Sequence, residues 1–201
     1  MISIINYGLG NLGSILNILK YIGVEAMIIQ TPEEILKAEK LILPGVGHFD
    51  TGMKQLEERG LKDAVLSRVL NDKVPILGIC LGMQLLTNSS EEGSLSGLSL
   101  INAETLRFPK NNGLKVPHMG WNLVKPSVNS SLLKNITEDY KFYFVHSYYV
   151  NAHNPENAIL KTFYGFEFDS AIQNGNIYGV QFHPEKSHKF GMQLLRNFAA
   201  L

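Results

Sequence analysis

The sequence is poor in the features that would place it outside a reducing compartment or against a polyanion. It has one cysteine in 201 residues, so no intrachain disulfide can form, which fits a reducing cytoplasm. Lysine and arginine total 18, as do aspartate and glutamate. A neutral chain with no basic cluster argues against nucleic acid and against anionic membranes as main partners. No apolar stretch approaches the ~20 residues that span a bilayer. The opening "MISIINYGLG" has neither the basic region nor the cleavage site of a signal peptide. No histidine or cysteine spacing suggests a metal, and no G-x-G-x-x-G or Walker loop suggests a nucleotide, so no cofactor is expected. Repeats, linkers and low-complexity tracts are missing too. One domain over residues 1–201 is expected, long enough to bury a core without disulfides.

What is present alternates. "ISIIN", "VEAMIIQ", "KLILP" and "VPILGIC" read as strands, separated by helical patterns. The helix from Asn11 spaces Leu12, Ile15, Leu16, Leu19 and Ile22 on one face and ends at Gly23. "TPEEILKAEK" opens with Thr31 as N-cap, Pro32 at the first helical position and Glu34 three residues after the cap, a capping box. "FDTGMKQLEERGLKDAVLSRVLNDK" carries one or two helices broken near Gly60. This alternation implies parallel strands with right-handed crossovers. From about residue 97 the runs become short, and Asn174-Gly175 is the strongest hairpin signal. "SHKFGMQLLRNFAAL" reads as a C-terminal helix. The expected fold is α/β: a mixed, mostly parallel central sheet with flanking helices and an added antiparallel β segment.

The single thiol, Cys80, stands in "ILGICLGMQLL", with Gly78 and Gly82 two residues to either side. A lone cysteine by itself reads as a small buried hydrophobe. Here it sits where a strand pattern meets a helical one, and ligands of open α/β sheets bind at the carboxyl ends of strands. G-x-C-x-G matches a nucleophile elbow, a tight strained turn that needs glycines for close packing. Such a turn projects the nucleophile into the crevice, aims the next residue's N–H at a developing oxyanion, and places the thiolate at a helix N-terminus.

A nucleophilic thiol needs a base and a group that orients the base. "YGVQFHPEKS" offers His183 at the end of an apolar run, then Pro184 and Glu185. Pro184 disfavours helix at His183. In an extended chain i and i+2 share a side, so Glu185 is expected to hold one imidazole nitrogen while the other faces Cys80, the logic of a nucleophile–histidine–acid triad. The plain alternative is a surface histidine beside a surface glutamate.

"PGVG" (44–47), "GICLGMQLL" (78–86) and "GVQFHPEKS" (179–187) resemble the class I glutamine amidotransferases. "NYGLGN", "PGVGHFD", "PHMGWN" (117–122) and "FVHSYY" (144–149) are most similar to the branch that forms the glutaminase subunit of imidazole glycerol phosphate synthase. The resemblance covers nearly the whole chain. It implies hydrolysis of L-glutamine to glutamate and ammonia by Cys80, His183 and Glu185. Oxyanion donors would come from Leu81, the natural first donor at the elbow, and from Val46 or Gly47 in a loop misoriented until a partner signals. Substrate would be held by Gly47, Gln84, Ser147 and Tyr148. The implied partner is a (β/α)₈-barrel cyclase in a heterodimer, contacted by Asn11, Pro117, Met119, Trp121 and Lys186. Read without the resemblance, Gln84 is a helix-surface residue, Ser147 and Tyr148 are ordinary strand positions and Trp121 belongs to the core. His146 either lines the site or satisfies its ring within the sheet, and the latter is favoured. His48, His153 and His188 are expected to be solvated.

Two rival readings stand. The same glutaminase chemistry can feed a paralogous synthase that aminates a sugar for surface polysaccharide. "SHKFG" departs from the glycine or glutamine expected after "EKS" and leaves the acceptor open. Outside this chemistry, α/β chaperones, peptidases and redox sensors also carry a cysteine at such an elbow, but they have no need of His183, Glu185 or Gln84.

Overall fold

The computed structural model describes residues 1–109, 113–137 and 139–201. Strand β1 (Ile2–Ile5) leads into helix α1 (Leu12–Tyr21), capped by the Asn11 side chain, which accepts from Ser14 N–H. Strand β2 (Ala26–Ile29) follows, then the short helix α2 (Pro32–Ile35). The capping box forms as expected, with Thr31 and Glu34 satisfying each other's backbone N–H. The helix, however, ends at Ile35 rather than filling "TPEEILKAEK". Strand β3 (Leu41–Gly45) precedes α3 (Phe49–Glu58) and α4 (Leu61–Leu70), which break at Gly60 in the left-handed region. Strand β4 (Ile76–Cys80) runs directly into the five-residue α5 (Leu81–Leu85).

The second half adds β5 (Ser89–Ser90), β6 (Ala103–Arg107), β7 (His118–Leu123), β8 (Lys125–Pro126), β9 (Lys141–His146), β10 (Tyr148–Ala152), β11 (Ala158–Phe163), β12 (Glu167–Asn174) and β13 (Ile177–Val180). Helix α6 (His188–Ala200) closes the chain. The main sheet runs β2-β1-β3-β4-β13-β12-β10-β6-β5, with β11 and β8 joined to it beside β12, while β7 and β9 form a separate antiparallel pair. The five strands from β2 to β13 are mutually parallel. The β12–β13 hairpin forms where expected, but its two loop residues are Gly175 and Asn176, because Asn174 still pairs with Ile177. Only glycine takes the first loop position freely, at φ +57°.

The parallel strands are buried on both faces, so their apolar runs are continuous rather than alternating. Ile4, Ile42 and Leu77 pack towards α1 and α6 through Ile15, Leu19, Leu194 and Phe198. Leu41, Leu43 and Ile76 pack on the other face against Phe49, Leu56 and Val65 of α3 and α4. Edge strand β2 leaves Met27 and Ile28 exposed. Among the described residues no helix is long and apolar enough to cross a membrane.

Candidate active site

Parallel register gathers residues that are far apart in the sequence. Gly45 at the end of β3 pairs with Cys80 at the end of β4, and Val180 of β13 pairs with Ile79. The "PGVG" loop, the cysteine turn and the "FHPEKS" turn therefore leave the sheet side by side. Cys80 is the N-cap of α5 with φ +55° and ψ −110°, a conformation that costs a non-glycine residue about 1–3 kcal/mol. The glycines around it are required by contact. A Cβ on Gly82 would overlap the Leu43 carbonyl oxygen, and one on Gly78 would lie 2.6 Å from the Gly82 carbonyl oxygen. Since α5 is so short, it offers Cys80 the unsatisfied N–H groups of its first turn rather than a long dipole.

His183 is extended, with φ −103° and ψ 95°. Glu185 reaches it by a different route from the one expected. Pro184–Lys186 form a 3₁₀ turn, and this turn brings Glu185 Oε1 to 2.8 Å from His183 Nδ1. The turn is tied down by Ser187, whose Oγ donates to the His183 carbonyl and accepts from Tyr143 N–H, while His183 N–H donates to the Tyr143 carbonyl. Both side chains of the pair are about 2% exposed, and among the described residues Glu185 Oε2 has no hydrogen-bond partner. Burial opposes a charged imidazole here. Interaction with Cys80, then with Glu185, outweighs it and carries the His183 pKa up to about 9. Among the described residues no acceptor or donor meets His183 Nε2 in hydrogen-bonding geometry, and the neighbour that most favours its charged form is Cys80.

Cys80 and His183 line a cavity of ≈ 340 Å³ together with Val46, Gly47, Leu81, Gln84, Pro117, His146, Ser147, Tyr148 and Lys186. That volume falls in the range of small-molecule sites. Every residue expected in catalysis, the oxyanion hole or substrate binding is at this cavity except Glu185, which stands behind His183. Gln84 is buried rather than on a helix surface, and Gly47 has φ +118° with open space where a Cβ would be. Of the partner residues, Pro117 and Lys186 line the cavity and Asn11 is exposed at the start of α1. Met119 and Trp121 are 62% and 42% exposed, so Trp121 is not a core residue. They lie with Leu123 on the outward face of β7, which alternates with buried His118. The Trp121 ring stacks on His188 at 5.5 Å and 4°.

Three site-related residues escaped the sequence reading. His118 is buried, with Nδ1 2.9 Å from His146 Nε2, and His146 Nδ1 is 2.6 Å from the Tyr148 carbonyl. His146 thus both satisfies its ring and lines the cavity. Burial alone pushes His118 down to about 4. Burial, helped by His118 and His183, pushes His146 down to about 3 over the opposing Tyr148 contact, so both rings are neutral near pH 7. Glu92 lines the cavity and accepts from Phe49 N–H. Gln181 lies fully buried, one residue before Phe182 and two before His183. A polar residue inside an apolar run was the available signal for it.

Comparison with known proteins places the whole chain. The family model described as glutamine amidotransferase class-I matches residues 3–201. The chain is 58% identical over 198 residues, 98% of each chain, to a Methanococcus maripaludis protein named imidazole glycerol phosphate synthase subunit HisH 2. It is 48% identical over 201 residues, the whole of both chains, to a Pseudomonas aeruginosa protein of the same name. A solved structure described as a glutamine amidotransferase superposes with a TM-score of 0.74 at 20% identity, covering 99% of each chain. The chain belongs to the class I glutamine amidotransferase family.

Proposed function

We propose that this chain is the glutaminase subunit of imidazole glycerol phosphate synthase, hydrolysing glutamine and passing ammonia to a cyclase subunit in histidine biosynthesis. The observation that carries the chemistry is the strained Cys80 facing one cavity with His183, itself backed by the buried Glu185. Cys80 gives its thiol proton to His183 and attacks the side-chain amide carbon of glutamine. The tetrahedral oxyanion is met by Leu81 N–H and by a donor from Val46 or Gly47. His183, protonated at neutral pH, gives its proton to the leaving ammonia. It then takes a proton from the water that cleaves the thioester, and glutamate leaves. Both N–H groups of Gln84 are used within the protein, on the Tyr148 carbonyl and Gln181 Oε1. Its own Oε1 is the atom left for the substrate α-ammonium. Gly47, Ser147 and Tyr148 complete the substrate pocket. No metal or cofactor enters this scheme, which runs in a single amidotransferase domain, 1–201. A reducing cytoplasm suits its one thiol.

The partner covers the cavity mouth, so that ammonia meets an acceptor before bulk water. The outward face of β7, with Met119 and Trp121 beside cavity-lining Pro117 and Lys186, is the surface we assign to a (β/α)₈-barrel cyclase, with Asn11 at its margin. Tryptophan and methionine are enriched in interface cores. The isolated chain should turn glutamine over slowly, and adding the cyclase should raise kcat by about 10²–10³-fold if it supplies one oxyanion donor from the "PGVG" loop. Full activity without the partner would defeat this reading. Trp121→Ala should weaken association by roughly 30-fold or more, as for an interface hot spot. Its thermal midpoint should stay close to that of the unaltered chain, because the ring is not in the core. An unfolded variant would return Trp121 to the core.

A second reading keeps the chemistry and changes the acceptor to an amino-sugar precursor. The segment "SHKFG", which departs from the glycine or glutamine expected after "EKS", supports it. Stimulation by a histidine-pathway cyclase, tested against a cyclase encoded beside polysaccharide enzymes, separates the two.

A further inference from the structure

The Cys80 sulfur has a neighbour outside the triad. Gln181 Nε2 lies 3.7 Å from Sγ, and the Gln181 side chain is fully buried between apolar Val180 and Phe182. A buried primary amide is costly unless its polar atoms are used, and nothing in the packing of a strand end calls for one.

Which end of the amide faces the sulfur can be deduced. The Tyr148 carbonyl can only accept, and Gln84 lies 3.4 Å from it, so Gln84 must present its nitrogen there. The same Gln84 nitrogen is 3.1 Å from the nearer end of Gln181, which must therefore be the Gln181 oxygen. The remaining end of Gln181, its N–H, is then turned onto Cys80. A backbone carbonyl thus orients two side-chain amides in series. On the sulfur's other side lies the Val145 carbonyl, at 4.0 Å, which can only accept.

We propose that Gln181 is a fourth working residue of the reaction centre: its amide N–H, oriented by Gln84, holds the Cys80 sulfur and stabilises it as thiolate. This rests on Cys80 being the nucleophile. Donation to the charged form of an acid favours that form. Gln181 thus holds the sulfur from one side while His183, raised chiefly by its interaction with Cys80, faces it from another. Gln84 then has two tasks, orienting Gln181 with its nitrogen and facing the substrate with its oxygen.

The test exploits the single cysteine, since iodoacetamide alkylation of the full chain reports on Cys80 alone. In Gln181→Met, which keeps side-chain length and removes the donor, the pH at which alkylation reaches half its plateau should rise by about 1–2 units. In complex with the cyclase, kcat for glutamine should fall about tenfold or more with KM little changed. Gln181→Glu keeps an oxygen towards Gln84 and should shift the profile in the same direction, so one unstable variant does not end the test. The unaltered protein supplies a third measurement: the Gln181 side-chain amide resonances should move with the alkylation profile, and Cys80→Ser should abolish that movement. A folded Gln181→Met with an unshifted profile, or amide resonances indifferent to Cys80, overturns the proposal. Glutamine turnover surviving in Cys80→Ala would instead defeat the nucleophile assignment, and the two failures are told apart because alkylation needs no turnover.

Discussion

Cys80→Ala will fold normally and release no ammonia from glutamine. The expected loss is at least about 10⁴-fold, since removing the nucleophile of a triad leaves only what binding and the oxyanion hole supply. Folding should survive because the sulfur fills little of the core: Cys80 packs at the cavity wall, and the turn is shaped by Gly78 and Gly82. The informative control is the complex supplied with ammonium salt. Synthesis from added ammonia should continue at its normal rate, because the acceptor site belongs to the partner. Glutamate release from glutamine by the purified variant would show that another group attacks the amide. Loss of the ammonium-driven reaction as well would point to a broken complex rather than a missing nucleophile.

Glu185→Gln should lower glutamine turnover by about 10²-fold. In a serine protease the comparable change costs about 10⁴, chiefly through the wrong imidazole tautomer, and a thiol ionises more readily than a hydroxyl. Here the carboxylate is buried and, among the described residues, its one hydrogen-bond partner is His183. The pH dependence follows from His183, which Cys80 and then Glu185 favour in its charged form. His183 is raised from 6.5 to about 9 in the folded state. A group raised on folding contributes its full stability below its unfolded pKa and loses it as pH climbs through the folded one. The unaltered protein should therefore lose this contribution between about pH 6.5 and 9, and Glu185→Gln should lose less of it over the same range. Denaturant midpoints across that window measure the difference. Identical pH profiles for the two proteins, with unchanged turnover, would make Glu185 a bystander.

Local signals were legible in the sequence where a single segment contained the whole cause. The capping box at Thr31 and Glu34, the α3–α4 break at Gly60 and the cysteine between two glycines each depend on neighbours a few residues away. The placing of Cys80 and His183 at one cavity, with Glu185 on His183, was readable too, because each of the two blocks has a strong internal pattern. Glu185 shows the limit of that reading, since the contact was foreseen and the backbone that makes it was not: Pro184 opens a 3₁₀ turn instead of prolonging the strand. The Gln84–Gln181 and His118–His146 contacts were out of reach. Their partners are 97 and 28 residues apart, joined only by tertiary register. Trp121 was ambiguous for a related reason. A strand face is core or surface according to what covers it, and the outward face of β7 is only partly covered by its own chain, with Trp121 stacked on His188 yet 42% exposed.

The left-handed backbone of Cys80 sets stability and activity in opposition at one position. Glycine would occupy φ +55° without steric penalty. The substitution most favourable to the turn is thus the one that ends the chemistry, and only selection for turnover keeps a side chain there. In a duplicated copy released from catalysis but still needed as a partner for assembly, position 80 is where the sequence should first relax, and glycine there would mark a subunit kept for its surface alone.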